Sequence, residues 1–437
     1  MATSASSGIT TVLRRRPTTH RCIRKYFNLL PANKSHRILV VADAFGKPAY
    51  TPRLRFWCEY LVAQGWQVDV YTEQFEPLPF EHSYPIVEIP IFKNRSFDWF
   101  IKSTLTFFFD WKSRFFAKEV RKQVGPKSYD IVLACTFPST PLRAAYGIAK
   151  EQRIPLHIDL RDIDEQTPTN QYIAHFKWRL PLFQLFRSLN IRRRNTFIRR
   201  ADSLSSVSPW HVAFLHQWNK NTHLIYNGYD SSIFVPQKVV TDTFSITYTG
   251  RIYDKALQDL SLLFEALHQM HSSCQIPEEL VVEWYTDAVG QKRVMHWAQE
   301  SGTTSLMKFH PFVQTQDIPQ ILSRSSIVLV ASQKSTPKGP HGIMTTKFFE
   351  ALGVEKPVLC VRSDEECLAQ VIKQTNAGLA GTNAQEVADF ILDKYAEWKT
   401  NGFTHQPVDP DVKHLFTRQY QAQQFEQLLL KAIDERK

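Results

Sequence analysis

"TTKFFEALGVEKPVLCV", Thr345 to Val361, decides the fold. Its second part, Lys356-Pro357 and then Val358 to Val361, is a continuous apolar run behind a proline, which opens a strand readily but does not fit the middle of one. It therefore reads as a buried strand. Thr345 or Thr346 is placed to cap the short apolar helix before it. Ahead of that helix, "KGPHGIMTT", Lys338 to Thr346, supplies Gly and Pro after the apolar run "SIVLV", Ser326 to Val330. The order is strand, Gly-containing loop, helix, strand. In a parallel sheet such a loop lies at the carboxyl ends of the strands, where ligands bind, and the helix N-terminus offers unpaired N–H groups to an anion. Lys347 and Glu350 stand three apart on this helix. As a solvated surface pair they would contribute only about 0.2–0.5 kcal/mol; at a ligand-binding edge they become a lone amine and a lone carboxylate aimed at something outside the chain.

The same alternation extends outward in both directions. "RILVVAD" (Arg37 to Asp43), "PRLRFWCEYLVAQGW" and "QVDVYTE" form one strand–helix–strand unit. "IVEIP" (Ile86 to Pro90), "DIVLACT" (Asp130 to Thr136), "PLRAAYGIAKEQ" and "PLHIDLRD" (Pro155 to Asp162) continue it, with "ADSLSSVS" and "THLIYNG" as short strands. "DSSIFVPQKVVTDT", Asp230 to Thr243, lacks periodicity and reads as a linker. The alternation restarts at "FSITYTG", Phe244 to Gly250. The expected fold class is α/β, with two Rossmann-like doubly wound domains facing a cleft. Residues 37–235 form the first domain and 242–415 the second, and a helix over 416–437 packs back on the first. His157 is expected inside its strand.

A chain of 437 residues exceeds what one core usually supports, in keeping with two domains. Its six cysteines show no paired spacing, which argues against a disulfide framework or zinc site, and no apolar run approaches the roughly 20 residues that span a bilayer. Residues 1–36 are basic and read as a disordered tail, a composition shared with organellar transit peptides. The net charge of +11 calls for an anionic partner: nucleic acid, a membrane surface or a phosphorylated small molecule. Part of the excess lies in "FRSLNIRRRNTFIRR", where Arg187, Arg192, Arg193, Arg194, Arg199 and Arg200 crowd one helix. "FDWFIKSTLTFFFDWKSRFF", Phe97 to Phe116, sets aromatic residues among Lys and Arg as a single helix, which fits either an interfacial segment or a buried core helix.

In the second half, the opening strand ends at "TGRIYDK". Gly250 permits close backbone approach there, Arg251 has the fork geometry for a phosphate, and Lys255 follows four residues on. Several segments then resemble one family. "HLIYNGYDSSIF", with Asn227-Gly228-Tyr229-Asp230, is similar to the Asn-Gly-x-Asp turn of family-four retaining glycosyltransferases of the GT-B fold. "TGRIYDKALQDLSLLFEAL" resembles their Gly-Arg segment, and "TTKFFEALGVEKPVL" a Lys-containing variant of their nucleotide-binding helix. "YTPRLRFWCEYLVAQGWQVDVYT" and "IPLHIDLRDIDEQ" resemble segments of the branch that builds surface polysaccharides.

The resemblance implies transfer of a sugar, with retention and without metal or other cofactor, from a nucleotide-sugar to a glycan or lipid-linked acceptor. It implies a hexosyltransferase-like enzyme, cytoplasmic and peripheral at the inner face of the cell membrane, with no nucleic-acid partner. By the same resemblance Glu350 accepts the ribose hydroxyls, and Arg251 with Lys255 or Lys347 offsets the diphosphate. His341, Gly342, Ile343 and Thr345 face the donor sugar and phosphates. Arg53, Arg161 and Asp162 lie on the acceptor side, and Asp162, Arg251 and Glu350 are the candidate catalytic residues. Two departures stand out: Gly342 occupies the place of the family's first Glu, and Ile163-Asp164 replaces the usual Trp after Arg161-Asp162. A nucleotide-sugar epimerase, a catalytically silent binding protein of the same fold, and a nucleic-acid-binding protein resting on positive charge alone remain as rival readings.

Overall fold

Short apolar runs separated by amphipathic segments build two parallel sheets, each wound by helices on both faces. This computed structural model describes residues 35–43, 45, 52–74, 80–91, 97–136, 139–166, 180–253, 255, 258–333, 340–362 and 366–436. The basic tail over 1–34 lies outside them.

The first sheet comprises β1 (Arg37–Ala42), β2 (Gln67–Glu73), β3 (Ile86–Ile89), β4 (Ile131–Thr136), β5 (Leu156–Leu160), β6 (Ser203–Ser206) and β7 (Thr222–Leu224), in the order β3-β2-β1-β4-β5-β6-β7. The second comprises β8 (Phe244–Thr249), β9 (Leu280–Tyr285), β10 (Met307–His310), β11 (Ile327–Ala331), β12 (Val358–Val361) and β13 (Gly378–Gly381), ordered β10-β9-β8-β11-β12-β13. Every pairing is parallel. In each sheet the chain reverses direction beside its first strand, between β1 and β4 and between β8 and β11. Crevices open at such reversals, beyond the carboxyl ends of the strands.

Helices α1 (Pro52–Ala63), α2 (Phe97–Phe109), α3 (Trp111–Val124), α4 (Thr140–Gln152), α5 (Leu180–Ile198) and α6 (Pro209–Leu215) belong to the first lobe. Helices α7 (Ser261–Ser272), α8 (Ala288–Glu300), α9 (Ile318–Arg324), α10 (Thr346–Val354), α11 (Leu368–Thr375) and α12 (Ala384–Asn401) belong to the second. After α13 (Pro410–His414) the chain returns, and α14 (Arg418–Asp434) lies against α1. There Phe425 stacks on Trp57 with ring centroids 3.8 Å apart, and Glu426 accepts hydrogen bonds from Tyr60 Oη at 2.9 Å and Trp66 Nε1 at 2.8 Å. Such a ring pair contributes about 0.5–1.5 kcal/mol beyond the area it buries. The outgoing and returning segments run side by side: Tyr229 N–H donates to Phe416 O at 3.0 Å, and Arg418 N–H to Tyr229 O at 2.8 Å.

One expectation is corrected. The aromatic segment is not one helix but two, broken at Asp110, whose backbone is left-handed at φ 55°. Its buried carboxylate receives Arg143 at 2.9 Å and lies 3.7 Å from Arg193, a tertiary ion pair that local pattern does not announce. The six arginines do crowd one helix and its end, but most of them are engaged within the first lobe. Arg194 is buried and bidentate to Glu165, at 2.8 and 2.6 Å. Arg193 donates to the carbonyls of Thr106 and Phe107, Arg187 donates to that of Asp164, and Arg199 and Arg200 lie over Trp218 and Tyr146. Of the six, Arg192 is the one whose side chain has no partner among the described residues. Strand β13, Gly-Leu-Ala-Gly, has no β-branched residue to mark it; it forms along the edge that β12 offers.

Candidate functional site

At the end of β8 the chain turns through Gly250, whose φ is +116°. A Cβ there would come within 2.9 Å of Cε and Nζ of Lys347, so only glycine lets the lysine lie across the strand end. The ammonium sits 5.5 Å from the centre of the Tyr248 ring. Thr345 caps α10 by accepting from Lys347 N–H at 3.4 Å, which fixes where Lys347 leaves the helix.

One turn on, Glu350 is only 9% exposed, yet its carboxylate accepts no hydrogen bond from the described residues. Burial pushes its pKa up, and Lys347 and Arg418 oppose that shift. The Arg418 guanidinium is in turn pushed down by burial and supported by Asp230 and Glu350. A carboxylate so largely withdrawn from water, its oxygens still reached by solvent, has acceptor capacity left for donors from outside the chain. Arg251 extends into solvent with Nε 3.9 Å from the carboxylate of Asp287, which itself caps α8 through Gly290 N–H at 2.8 Å. Lys255 is exposed on the same loop.

The loop before α10 meets the first lobe. His341 N–H donates to Gln166 O at 2.9 Å, and its ring stacks on Trp210 at 5.1 Å and 9°. The Gln166 side chain lies 3.0 Å from His211 Nε2, and His211 Nδ1 lies 3.0 Å from Ser206 Oγ. Burial lowers the His211 pKa to about 3, so this imidazole bridges as a neutral group. Gly342 has φ +61°, and a Cβ on it would fall 2.5 Å from Ser208 Oγ and 2.8 Å from Trp210 Cβ. The absence of a Glu at this position therefore has a physical cause: backbone of one lobe rests on side chains of the other. Ile343 is half-buried behind the contact.

The first lobe's own edge is arranged differently. Arg53 is 5% exposed; it donates to Asp159 at 3.0 Å and to the carbonyls of Ile225 and Tyr226 at 2.5 and 2.7 Å, with its guanidinium 4.1 Å from the centre of the Trp57 ring. This corrects the expectation that it faces the acceptor: it ties α1 to β5 and to the chain after β7. Asp159 also accepts from Ser205 Oγ at 2.6 Å, and Ser205 Oγ lies 2.9 Å from Nε2 of the fully buried His157. Burial brings the His157 pKa down to about 4. Arg161 is half-buried in the field of Asp43, Asp162 and Asp159. Asp162 is open to water; partial desolvation of its carboxylate raises its pKa and the charge of Arg161 opposes that shift.

The structure thus brings Gly250, Arg251, Thr345, Lys347 and Glu350 to one crevice, with Lys255 on its outer loop, and places His341 and Gly342 where the lobes touch. It sets Arg161 and Asp162 on the facing edge. Sequence reasoning missed Tyr248, Arg418, Gln166, Ser208 and Trp210. Of these only Ser208 leaves a trace in the sequence, as the cap ahead of Pro209, and a cap indicates a helix start rather than a site.

Two doubly wound lobes, each with its strand order reversing beside the first strand, define the GT-B fold. Over residues 54–233, within the first lobe, the chain matches the model of the family described as Glycosyltransferase Family 4. No curated protein matches the sequence. Among solved structures, sucrose-phosphate synthase from Thermosynechococcus elongatus superposes with a TM-score of 0.67 at 17% identity, covering 92% of this chain and 100% of that one. HepE of Anabaena in complex with UDP gives 0.64 at 16% identity, covering 90% and 100%. A Listeria monocytogenes protein described as a UDP-N-acetylglucosamine 2-epimerase gives 0.55 at 14% identity, covering 92% and 98%. At these identities the likeness is one of fold.

Proposed function

We propose that the chain is a glycosyltransferase that moves a hexose-like sugar from a nucleotide-sugar to a glycan or lipid-linked acceptor. In this reading it works with retention and without a metal, in surface polysaccharide biosynthesis at the cytoplasmic face of the membrane. The observation that carries the reading is Glu350, a buried carboxylate without internal donors beside the Lys347 ammonium at the β8/β11 reversal. Vicinal ribose hydroxyls would supply the missing donors. Arg251, Lys347 and the N-terminus of α10 would stabilise the charge that grows on the departing diphosphate, with Lys255 adding to the same field. Asp162 stands on the facing edge, where it would orient the acceptor hydroxyl while the leaving phosphate takes its proton; the neighbouring charge of Arg161 would keep that carboxylate ionised. The capture of UDP and of UDP-glucose by HepE supports a donor of this class.

UDP or GDP should raise the melting temperature, and Glu350→Ala should abolish the rise. Hydrolysis of a set of nucleotide-sugars names the donor, the anomeric configuration of the product tests retention, and activity unchanged by a chelator tests metal independence. An epimerase, the reading that the Listeria likeness favours, would convert donor to its epimer with no acceptor present. A silent binding protein would show the thermal shift and turn over none of the donors.

A further inference from the structure

We infer that the ends of α2 and α5, with the exposed face of α3, form a docking surface for an anionic phospholipid bilayer. It would deliver a lipid-linked acceptor to the first lobe's edge, and the inference rests on the transferase reading for that last step. On α2, Ile101, Leu105, Phe108 and Phe109 recur at helical spacing along one stripe, and both Phe108 and Phe109 are 65% exposed. On α5, Leu182 and Leu185 are 59% and 49% exposed and share a stripe with Phe186. The two helices pack against each other beside these stripes, through Phe107 on the other face of α2. Phe186 stacks on Phe107 at 5.6 Å, and Arg193 reaches from α5 to the last carbonyls of α2. Exposed aromatic and aliphatic side chains clustered on each of two packed helices are not a scatter of single surface residues.

Charge surrounds this apolar patch. Arg114, Lys118, Arg121 and Lys122 follow one another at offsets of four, seven and eight residues, so they line one exposed face of α3, beginning one turn after Phe109. Lys118, Arg121, Lys122 and Arg143 border a shallow groove between α3 and α4 with a floor of Ala117, Ala144 and Gly147. Arg121 is partly neutralised by Glu151 at 2.7 Å, which leaves Lys118 and Lys122 as the open cations. Arg192 adds another, two turns from Leu185 on the same side of α5. An apolar wedge beside unpaired cations complements a bilayer with anionic headgroups rather than a protein partner of neutral character.

Position supports the occupant. Arg187 donates to Asp164 O, and Arg194 is bidentate to Glu165, just after Asp162. At 1.5 Å per residue, Leu182 and Leu185 lie within about 8 Å along α5 of that anchor. A lipid carrier lying in the bilayer would therefore present its headgroup to the edge that holds Arg161 and Asp162.

The test is flotation of the full chain with phosphatidylcholine vesicles, with and without phosphatidylglycerol. We expect binding to the anionic vesicles alone, weakened by salt. Phe108→Ser with Phe109→Ser should lower the partition coefficient roughly tenfold or more. Lys118→Glu with Lys122→Glu should lower it by at least about fivefold per charge. Lys292→Glu with Lys373→Glu, the same charge change on the second lobe, should leave it unchanged. Equal loss in that control would overturn the patch in favour of net charge, and no flotation of the wild type would overturn the proposal outright. Loss of self-association in the aromatic variant, seen by light scattering without lipid, would assign the face to a second copy instead. Thermal shift by UDP or GDP, measured in every variant, reads the donor site independently of this surface.

Discussion

At the carboxyl ends of β1, β4 and β5 the first lobe settles its charges internally: Arg53 with Asp159, and Arg161 among Asp43, Asp159 and Asp162. At the ends of β8 and β11 the second lobe leaves Lys347 lying across a glycine and Glu350 buried without donors. The sheets have the same order around the same reversal, so topology offers both lobes a crevice. Charge compensation separates them. A crevice whose ions already hold one another has little to gain from a diphosphate, whereas one that has spent burial on an unpartnered carboxylate gains on binding.

The contrast breaks most visibly at Arg53. Arg53→Ala leaves Asp159 buried without its cation and should cost about 3–5 kcal/mol in denaturant unfolding, while the nucleotide-induced thermal shift survives. A variant of ordinary stability would mean that the first lobe is not held by that pair.

Acid should act next, and through the first lobe. His157 and His211 have folded pKa values of about 4 and about 3, below the unfolded value, so the unfolded state binds more protons as pH falls. Their stabilising contribution is complete above about pH 6.5 and is lost on going down through pH 4 to pH 3, on the order of 3 kcal/mol for His157 and 5 kcal/mol for His211. Urea unfolding across that range measures it, and His157→Gln should flatten the profile.

In the second lobe the sign of a mutation should invert. Glu350→Gln removes a buried charge whose pKa is raised in the fold, so the ligand-free protein should melt higher at neutral pH. Affinity for UDP or GDP should at the same time fall by roughly 10- to 100-fold, the worth of hydrogen bonds to a charged group. Calorimetry and titration on one sample read both, and a destabilised variant with unchanged affinity would place Glu350 in the scaffold. The smallest effect is expected where the lobes touch. Gly342→Ala meets a left-handed backbone, at about 1–2 kcal/mol, and Ser208 Oγ besides. Ser208→Ala in the same chain should recover part of the loss.

The parallel sheets were legible because strands covered on both faces read as unbroken apolar runs, as in β1 and β11. The second lobe's crevice was legible for a related reason: Thr345, Lys347 and Glu350 sit within six residues of sequence, and Gly250-Arg251 closes a strand. Arg53 was misread because whether an arginine is free or consumed depends on Asp159, far along the chain. The contact of His341 with Gln166 and Trp210 left no trace for the same reason, and at the helix break Asp110 meets Arg143 and Arg193, both distant in sequence. What local pattern does not contain is which distant charge answers a given one.

The side-by-side passage of the chain at Tyr229 and Thr417 sets how the molecule can flex. Two strands crossing together, tied to each other by backbone hydrogen bonds, resist stretching and sliding but yield to torsion, as a door yields about its pins. Swinging the lobes apart would leave this axle whole and part the stacked rings of Trp210 and His341. Turnover would then consist of unfastening and refastening that one distant catch, with α14 as the strap that keeps the swing from becoming a separation.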